Sequence, residues 1–335
     1  MKFIFKSLFN NNAVLEGRKQ KWWLGLLIFV ISMILSVIPT MVSVGTAKGS
    51  SFLKNNTMSC DVGLKEFVSF LNTEDINLTV QENESGNGVK RHLIISSESD
   101  LTDKTGDNPL YEYHHFDGNT SVLRLSVYYR DETYKETTTF IQSIQSRVYE
   151  KGNENESEET VEQLPPTSFL VLGKERIYMA IYGKDVEKWN APTSQYTGDY
   201  TKIALNTNIK NFSNSEDKVF DNWKEFFNDG YLNLRSSALV VQTTAYLGIN
   251  ALVTFFMGLM IFIITRGKKN PFRHEYNFGK SMLVISFAAL CPAILTCILG
   301  FAFSSFAPML YMIILGFRTM WMSSKNLNPT IAYQK

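Results

Sequence analysis

Residues 22–44 read WWLGLLIFVISMILSVIPTMVSV and carry no charged side chain over 23 positions. A helix rises about 1.5 Å per residue, so this run reaches roughly 34 Å and is long enough for a hydrocarbon core of about 30 Å. Arg18, Lys19 and Lys21 precede the run, and its first two residues are tryptophans, which favour the headgroup boundary. The run therefore predicts a helix that spans a membrane.

The alternative for this run is a cleaved signal peptide. Gly45, Thr46 and Ala47 follow it and offer small residues at a plausible cleavage site. The apolar region of a signal peptide usually has only about 7–15 residues, which is shorter than this run. The length therefore favours a retained anchor.

Three more apolar runs follow near the other end of the chain. The first of them, 238–265, has 28 residues and must tilt or leave its first turn outside the hydrocarbon. Only Ser304 and Ser305 separate the last two runs, 282–303 and 306–322, which predicts a tight hairpin. The sequence thus predicts four transmembrane α-helices, at 22–44, 237–265, 281–303 and 304–322.

Charge is sorted by position along the chain. Residues 47–235 carry 20 Lys and Arg against 30 Asp and Glu, whereas the remainder carries 13 against 2. Lys and Arg are retained on the cytoplasmic side of spanning helices. The sorting predicts an extracytoplasmic domain at 45–236, both termini in the cytoplasm, a basic cytoplasmic loop at 266–280 and a cytoplasmic tail at 323–335.

The segment 1–21 precedes the first predicted span on the cytoplasmic side. Apolar residues at helical spacing beside lysines predict a short helix lying on the inner leaflet; they are Phe3, Ile4, Phe5, Leu8 and Phe9, with Lys2 and Lys6. The alternative is a frayed tail. Three asparagines at 10–12 limit any helix here to about two turns.

The roughly 190 residues between the first two spans are enough for one compact domain. Helical periodicity predicts a helix at 62–71 and a closing helix within 211–231, with Ser213 or Ser215 as its cap. Alternating and β-branched runs predict an antiparallel sheet, so the domain is expected to be α+β. The predicted strands lie at 77–80, 92–96, 121–129, 169–172 and 177–182, with residues 173–176 as a hairpin loop.

Few features of this domain suggest chemistry. The acidic run 151–162 is typical of a solvated loop and lacks the ligand pattern of a calcium site. Cys60 is the domain's one cysteine, so no disulfide can form within it. The four histidines, His92, His114, His115 and His274, have no metal-ligand spacing, and no nucleophile or nucleotide motif occurs. We therefore expect no catalytic, cofactor-binding or metal-binding residues, no nucleic-acid partner and no enzyme.

Polar residues inside the predicted spans are the candidate functional positions, because they are costly in lipid. Asn250 lies in the middle of the second span and can hydrogen-bond another helix, and Arg318 is close enough to the cytoplasmic face to snorkel. Pro39, Pro292 and Pro308 are expected to kink their helices. The spans contain no acidic residue, which argues against a transporter coupled to protons or cations.

Several short stretches resemble one bacterial family. They are FKSLF at 5–9, GRKQK at 17–21, IPT at 38–40, the aromatic and basic loop 272–280 before a proline-containing span, and KERIY at 174–178. The family consists of membrane proteins of low-GC Gram-positive bacteria known as maltodextrin utilisation proteins of the MalA type, grouped distantly with Yip-type proteins.

This resemblance covers both termini and the topology, and it offers no catalytic residue for this chain. It implies a multi-pass protein of the bacterial cell membrane, a non-enzymatic accessory or sensor protein linked to carbohydrate uptake. The partners it implies are the lipid bilayer and an ABC-type sugar transporter or another membrane complex.

Topology alone suggests an alternative. One span, a large outside domain and three further spans are also the layout of FtsX- or MacB-like subunits, which couple a cytoplasmic ATPase to an extracytoplasmic domain. A sugar permease subunit ranks last, because the cytoplasmic coupling loop of such subunits is missing here.

Overall fold

The computed structural model describes residues 2–55, 60–85, 88–97, 107–117, 120–153, 167–182, 192–213, 216–268, 270–303 and 306–327. The chain divides into two compact units, which we treat separately. The helical unit comprises Met1–Thr46 with Ser237–Lys335, and the α+β unit comprises Ala47–Ser236.

Eight α-helices and seven strands lie within the described residues. The helices are α1 (Lys2–Phe9), α2 (Asn11–Glu16), α3 (Trp22–Thr46), α4 (Cys60–Thr73), α5 (Tyr134–Asn153), α6 (Glu216–Thr265), α7 (Phe278–Ala302) and α8 (Ala307–Asn326). The strands are β1 (Asn77–Ser85), β2 (Gly88–Ser96), β3 (Tyr111–Asp117), β4 (Thr120–Arg130), β5 (Ser168–Gly173), β6 (Arg176–Ile181) and β7 (Ser194–Asp199).

Three helices of the described chain are long and apolar enough to cross a membrane. They are α3, the Lys218–Thr265 part of α6, and α7. The fourth predicted span also forms a helix, α8, which at 20 residues reaches about 30 Å. It is less apolar than the other three because its sequence includes Arg318 and ends in polar residues.

Helix α6 combines two predicted elements. The sequence suggested a closing helix of the α+β domain and a separate span, but one helix of 50 residues runs unbroken from Glu216 to Thr265. No proline occurs in this stretch, so no residue in it removes a helix hydrogen bond. The predicted caps, Ser215 and the side chain of Ser213, lie outside the described residues.

The long helices of the helical unit pack closely through small residues. A Cβ on Gly25 of α3 would lie 2.3 Å from Leu283 of α7, and a Cβ on Gly300 of α7 would lie 2.7 Å from Pro39 of α3. Residue numbers rise together along this contact, so α3 and α7 run in the same direction. Such close approach at small residues is typical of helices that associate in membranes.

Helices α6 and α8 run the opposite way to α7. Phe262 of α6 contacts Phe278 at the start of α7 with ring centroids 5.9 Å apart. Ala307, the first residue of α8, lies against Gly300 near the end of α7, and Arg318 lies further back along it at Ala288. The four long helices therefore alternate in direction along the chain.

The N-terminal segment folds as predicted into a short helix. Helix α1 ends at Phe9, and the side chain of Asn10 accepts a 2.9 Å hydrogen bond from the Asn12 N–H to begin α2. Phe3 packs edge-on against Phe287 of α7 at 5.1 Å. Phe5, by contrast, is 72% exposed, so α1 has one docked face and one free apolar face.

The α+β unit contains two sheets. Strands β1 and β2 form the predicted hairpin, and the second sheet has the order β3-β4-β5-β6-β7. The expectation of a wholly antiparallel sheet is wrong at one place, because β4 and β5 pair in parallel. A parallel pair needs a crossover connection, and the unpredicted helix α5 lies between these two strands in the chain.

The start of helix α5 is marked in the sequence by a capping pattern, although the helix was not predicted. The N–H and the hydroxyl of Thr133 both donate to the Glu136 carboxylate, at 3.1 and 2.7 Å. A Thr followed three residues later by Glu is the capping-box pattern of a helix start. These hydrogen bonds lower the pKa of Glu136. Strands β3 and β7 were also missed.

Strand β5 is buried on both faces and separates two cores. Leu170 and Leu172 join the larger core, which α4 and the first half of α6 also line, while Phe169 and Val171 face a smaller core that includes Phe140 of α5. Leu172 and Ile177 are the last paired residues of β5 and β6, so residues 173–176 connect them as predicted.

Aromatic side chains dominate the larger core. Trp223 of α6 is fully buried, its indole ring stacks on Phe227 at 5.4 Å, and its N–H donates to the Leu64 carbonyl of α4 at 3.3 Å. Cys60, at the start of α4, is also fully buried in this core. The α+β unit is thus held together by apolar packing around α4, α6 and the sheet.

The buried Cys60 thiol gives a test of this core. Burial, with a smaller contribution from Asp61, raises the pKa of Cys60 to about 12. The thiolate is the reactive form, and each pKa unit is a factor of ten in its population. In protein with Cys291→Ser and Cys297→Ser, we expect Cys60 at pH 8 to react with a thiol reagent roughly a thousandfold more slowly than in denatured protein.

The same shift has a consequence for stability. Since the fold favours the neutral thiol, its stabilising contribution is complete below the ordinary pKa of 9.0 and is lost as the pH rises towards 12. Cys60→Ala should remove that pH dependence, measured by denaturant unfolding between pH 8 and 11. Equal labelling rates in folded and denatured protein would contradict a buried Cys60.

Candidate functional site

Arg318 makes the most informative polar contacts of the helical unit. Its guanidinium donates a 2.9 Å hydrogen bond to the carbonyl of Ala288 in α7 and a second hydrogen bond to the carbonyl of Ser7 in α1. The charged group thus bonds to two backbone acceptors of the protein, and the expected snorkelling of Arg318 stays a prediction.

Both acceptors lack a partner within their own helix. In α7 the Ala288 carbonyl would accept from the N–H of residue 292, but Pro292 has no N–H. Ser7 lies in the last turn of α1, where helix carbonyls have no intrahelical donor. Arg318 therefore satisfies two carbonyls that the helices leave free, and its charge suits the negative end of α1.

The energetic importance of these contacts follows from their surroundings. A buried polar group without a partner costs about 1–3 kcal/mol, and lipid supplies no water to replace one. Because one side chain bonds three helices through α1, α7 and its own α8, its loss exposes two such groups together. Arg318 is in this sense a positioning residue for the helical unit.

Asn250 joins a second polar connection between helices. Its amide donates to the Ser36 hydroxyl of α3 at 2.8 Å, and Ser36 in turn donates to the Met33 carbonyl. One turn further along α6, the Thr254 hydroxyl lies 2.8 Å from the hydroxyl of Tyr311 in α8. Polar contacts therefore link α6 to α3 and to α8 inside an otherwise apolar unit.

The three prolines have different positions. Pro39 and Pro292 lie inside α3 and α7. Pro308 lies in the first turn of α8, where a missing N–H costs no helix hydrogen bond and a kink is not required.

The segment between α6 and α7 is held by side chains that the sequence analysis did not single out. Asn270 is buried, and its amide donates to the carbonyls of Ile264 and Leu327, both at 3.1 Å. The Glu275 carboxylate forms an ion pair with the Arg18 guanidinium, with 2.6 Å between oxygen and nitrogen. The ends of α6 and α8 are thereby tied together, and this segment is tied to the one before α3.

The α+β unit shows a structural role for its best-organised charged group. Arg130 is 8% exposed, forms ion pairs with Asp107 at 2.7 Å and Glu132 at 2.6 Å, and stacks over the Phe140 ring at 4.1 Å. These contacts fix the turn from β4 into α5. All three nitrogens of the Arg130 guanidinium are engaged in these ion pairs.

The histidines lie on three separate elements of the structure. His114 and His115 are adjacent on β3, His92 is buried on β2, and His274 ends a short 3-10 helix before α7. Among the residues that the structure describes, no three His, Cys, Asp or Glu side chains come close enough to hold a metal ion. The acidic run 151–162 lies outside the described residues beyond Asn153.

Together these features define the class of the protein. It has a separate α+β domain and three described helices that are long and apolar enough to cross a membrane, which indicates membrane insertion. Comparison of the chain with protein-family models, with curated proteins and with solved structures finds no match.

A double-mutant cycle of Arg318 and Pro292 tests whether Arg318 stabilises the protein by satisfying the Ala288 carbonyl. We expect Arg318→Met to lower the free energy of unfolding in detergent by about 2–4 kcal/mol, because two buried carbonyls lose their donor. Pro292→Ala restores an N–H that can bond the Ala288 carbonyl. In protein that carries Pro292→Ala, Arg318→Met should therefore lower the free energy of unfolding by at least about 1 kcal/mol less than it does with Pro292 present. Unfolding titrations followed by circular dichroism measure both values.

Pro39→Ala is the matched control for this cycle. It also restores a helix N–H, but Arg318 does not contact the carbonyl that this N–H reaches. Arg318→Met and Pro39→Ala should therefore be additive. Additivity with Pro292→Ala as well would contradict the proposed link between Arg318 and the proline-freed carbonyl.

Proposed function

We propose that this chain is a non-enzymatic accessory or sensor protein of the bacterial cell membrane, with its α+β unit outside the cytoplasm. The observation that carries the proposal is helix α6, whose residues belong to the α+β unit up to Ser236 and to the helical unit from Ser237 without a break. A continuous helix is suited to carry a change at a ligand-binding or partner-binding domain into membrane helices.

Contacts in the α+β unit support a non-enzymatic role. The hydroxyls of Tyr196 and Tyr200 are buried and donate to the carbonyls of Phe227 and Gly173, both at 2.9 Å. Burial raises the pKa of both tyrosines, which keeps the hydroxyls neutral. Polar groups in this core thus serve the fold, as Arg130 does.

We propose four spans with both termini in the cytoplasm. The alternating directions of α3, α6, α7 and α8 support this arrangement, and α8 exposes an apolar stripe of Met309, Ile313, Phe317 and Met320. The exposed Phe5 and Phe9 of α1 are four residues apart and suit a helix lying on the inner leaflet. The excess of Lys and Arg outside the α+β unit supports the orientation.

Cysteine labelling of intact cells tests this topology. In a background without native cysteines, an impermeant thiol reagent should modify Lys135→Cys in the α+β unit but neither Arg273→Cys nor Ser324→Cys; all three positions are exposed. Labelling of Ser324→Cys alongside Lys135→Cys would show that α8 does not cross. Labelling of Arg273→Cys and Ser324→Cys without Lys135→Cys would show that the orientation is reversed. Permeabilised cells provide the control, since all three positions should then react.

We further propose that the process served is maltodextrin uptake. This link depends on the sequence resemblance described above. Deletion of the gene should slow growth on maltodextrin and leave growth on glucose unchanged, and the full chain should restore the wild-type rate. Identical growth of the deletion strain on both carbon sources would remove the link to sugar.

A variant pair tests whether continuity of α6 matters for this role. Ser237→Pro removes a helix hydrogen bond and introduces a clash, a cost of about 3 kcal/mol, whereas Ser237→Ala preserves the helix. With equal amounts of each protein in the membrane, growth on maltodextrin should be restored by Ser237→Ala and not by Ser237→Pro. Restoration by both variants would contradict a transmitting role for α6.

The second candidate is a membrane subunit coupled to a cytoplasmic ATPase. It is favoured by the fixed segment between α6 and α7, which exposes Arg266, Lys268 and Arg273 while Asn270 and Glu275 anchor it. Co-purification of an ATPase that is lost with Arg273→Glu would favour this candidate. Repeated purification without an ATPase would count against it.

A further inference from the structure

An apolar cavity of about 320 Å³ opens between α3, α6 and α7. Its lining includes Trp22, Leu26, Ala251, Phe255 and Ser286. Trp22, Leu26 and Phe255 are 71%, 52% and 44% exposed, so the cavity is open towards the surface of the helical unit. An apolar cavity of about 150 Å³ already admits benzene, and this one is twice as large.

The two side-chain hydroxyls in the lining already form hydrogen bonds within the protein. The Ser286 hydroxyl donates to the Met282 carbonyl of its own helix at 2.8 Å. The Thr254 hydroxyl is bonded to the Asn250 carbonyl and to the Tyr311 hydroxyl, both at 2.8 Å. Most of the other lining side chains are apolar, so an apolar occupant fits between the helices.

One end of the cavity is marked by positive charge. Trp22 and Gly279, which line it, lie at the first turns of the parallel helices α3 and α7. Lys21 and Lys280 are their immediate neighbours in the chain, and both are exposed. Tryptophan favours the headgroup boundary, and lysines there attract anionic headgroups.

We propose that this cavity holds one acyl chain of an anionic phospholipid, whose phosphate lies near Lys21 and Lys280. The apolar lining accounts for the acyl chain, and the two exposed lysines next to it in the sequence account for the headgroup. A bound lipid of this kind would fill the space between α3, α6 and α7 and stabilise their packing. The proposal requires only that these helices lie in a bilayer. It does not depend on the proposed role in maltodextrin uptake.

Native mass spectrometry of the full chain tests the proposal. The protein is released from nanodiscs of equal phosphatidylglycerol and phosphatidylcholine, and the retained lipids are counted. We expect one phosphatidylglycerol per chain, preferred over phosphatidylcholine by about 30-fold, which is the preference expected for two lysines beside an anionic headgroup. Equal retention of the two lipids, or none, would overturn the proposal.

Two variants separate the chain-binding and headgroup-binding parts of the site. Ala251→Leu fills the cavity and should abolish retention of the lipid, whereas Gly248→Leu on the same helix meets open space and should leave it intact. Lys21→Gln with Lys280→Gln should remove the headgroup preference. Arg266→Gln with Lys268→Gln, which do not border the cavity, should preserve it.

The remaining outcomes also bear on the proposal. Loss of lipid in Gly248→Leu equal to that in Ala251→Leu would show that the cavity is not the site and would overturn it. Competition by inorganic phosphate alone would assign the lysines to a free anion and would overturn it as well. Circular dichroism of each variant confirms that the helices are intact.

Discussion

The helical unit depends on the requirement that every backbone carbonyl away from water has a donor. Proline in the middle of α7 breaks this rule at Ala288, and the end of α1 breaks it at Ser7. Arg318 meets both needs with one side chain. An arginine in an apolar helix is costly by itself, yet here its cost is offset by two hydrogen bonds that lipid cannot supply. Pro292 in α7 and Arg318 in α8 are thus physically linked, because the proline frees the carbonyl to which the arginine donates.

The sequence predicted much of the architecture and little of the site. Hydrophobic periodicity and charge identified the apolar helices, the α+β character of the domain and the β1–β2 and β5–β6 hairpins. Helix α5 was not predicted, although Thr133 and Glu136 mark its start and Phe140 and Ile144 lie at helical spacing. Because this crossover helix was not predicted, the parallel pairing of β4 with β5 was not predicted either. Local patterns report on neighbours in the chain, whereas strand pairing depends on residues about 40 positions apart.

The polar contacts of the helical unit show the same limit. Asn250 and Arg318 stood out because polar residues are rare in such helices, but their partners did not. Ser36 and Tyr311 are ordinary residues for an apolar helix, and the Ala288 carbonyl has no side-chain signature. One signal was available: a proline inside a helix identifies the carbonyl four residues earlier as unsatisfied. Asn270 had no such signal, because its role depends on the ends of two helices meeting.

The solitary, fully buried Cys60 has a consequence for where the α+β unit can fold. With no second cysteine in the unit, no disulfide can form within it, so its folding needs neither an oxidant nor a disulfide isomerase. Its fold therefore does not depend on whether the compartment is reducing or oxidising, and the unit contains no internal disulfide that dithiothreitol could reduce. Changes in ambient redox potential that would cleave the disulfides of a cross-linked domain therefore leave the covalent structure of this α+β unit unchanged.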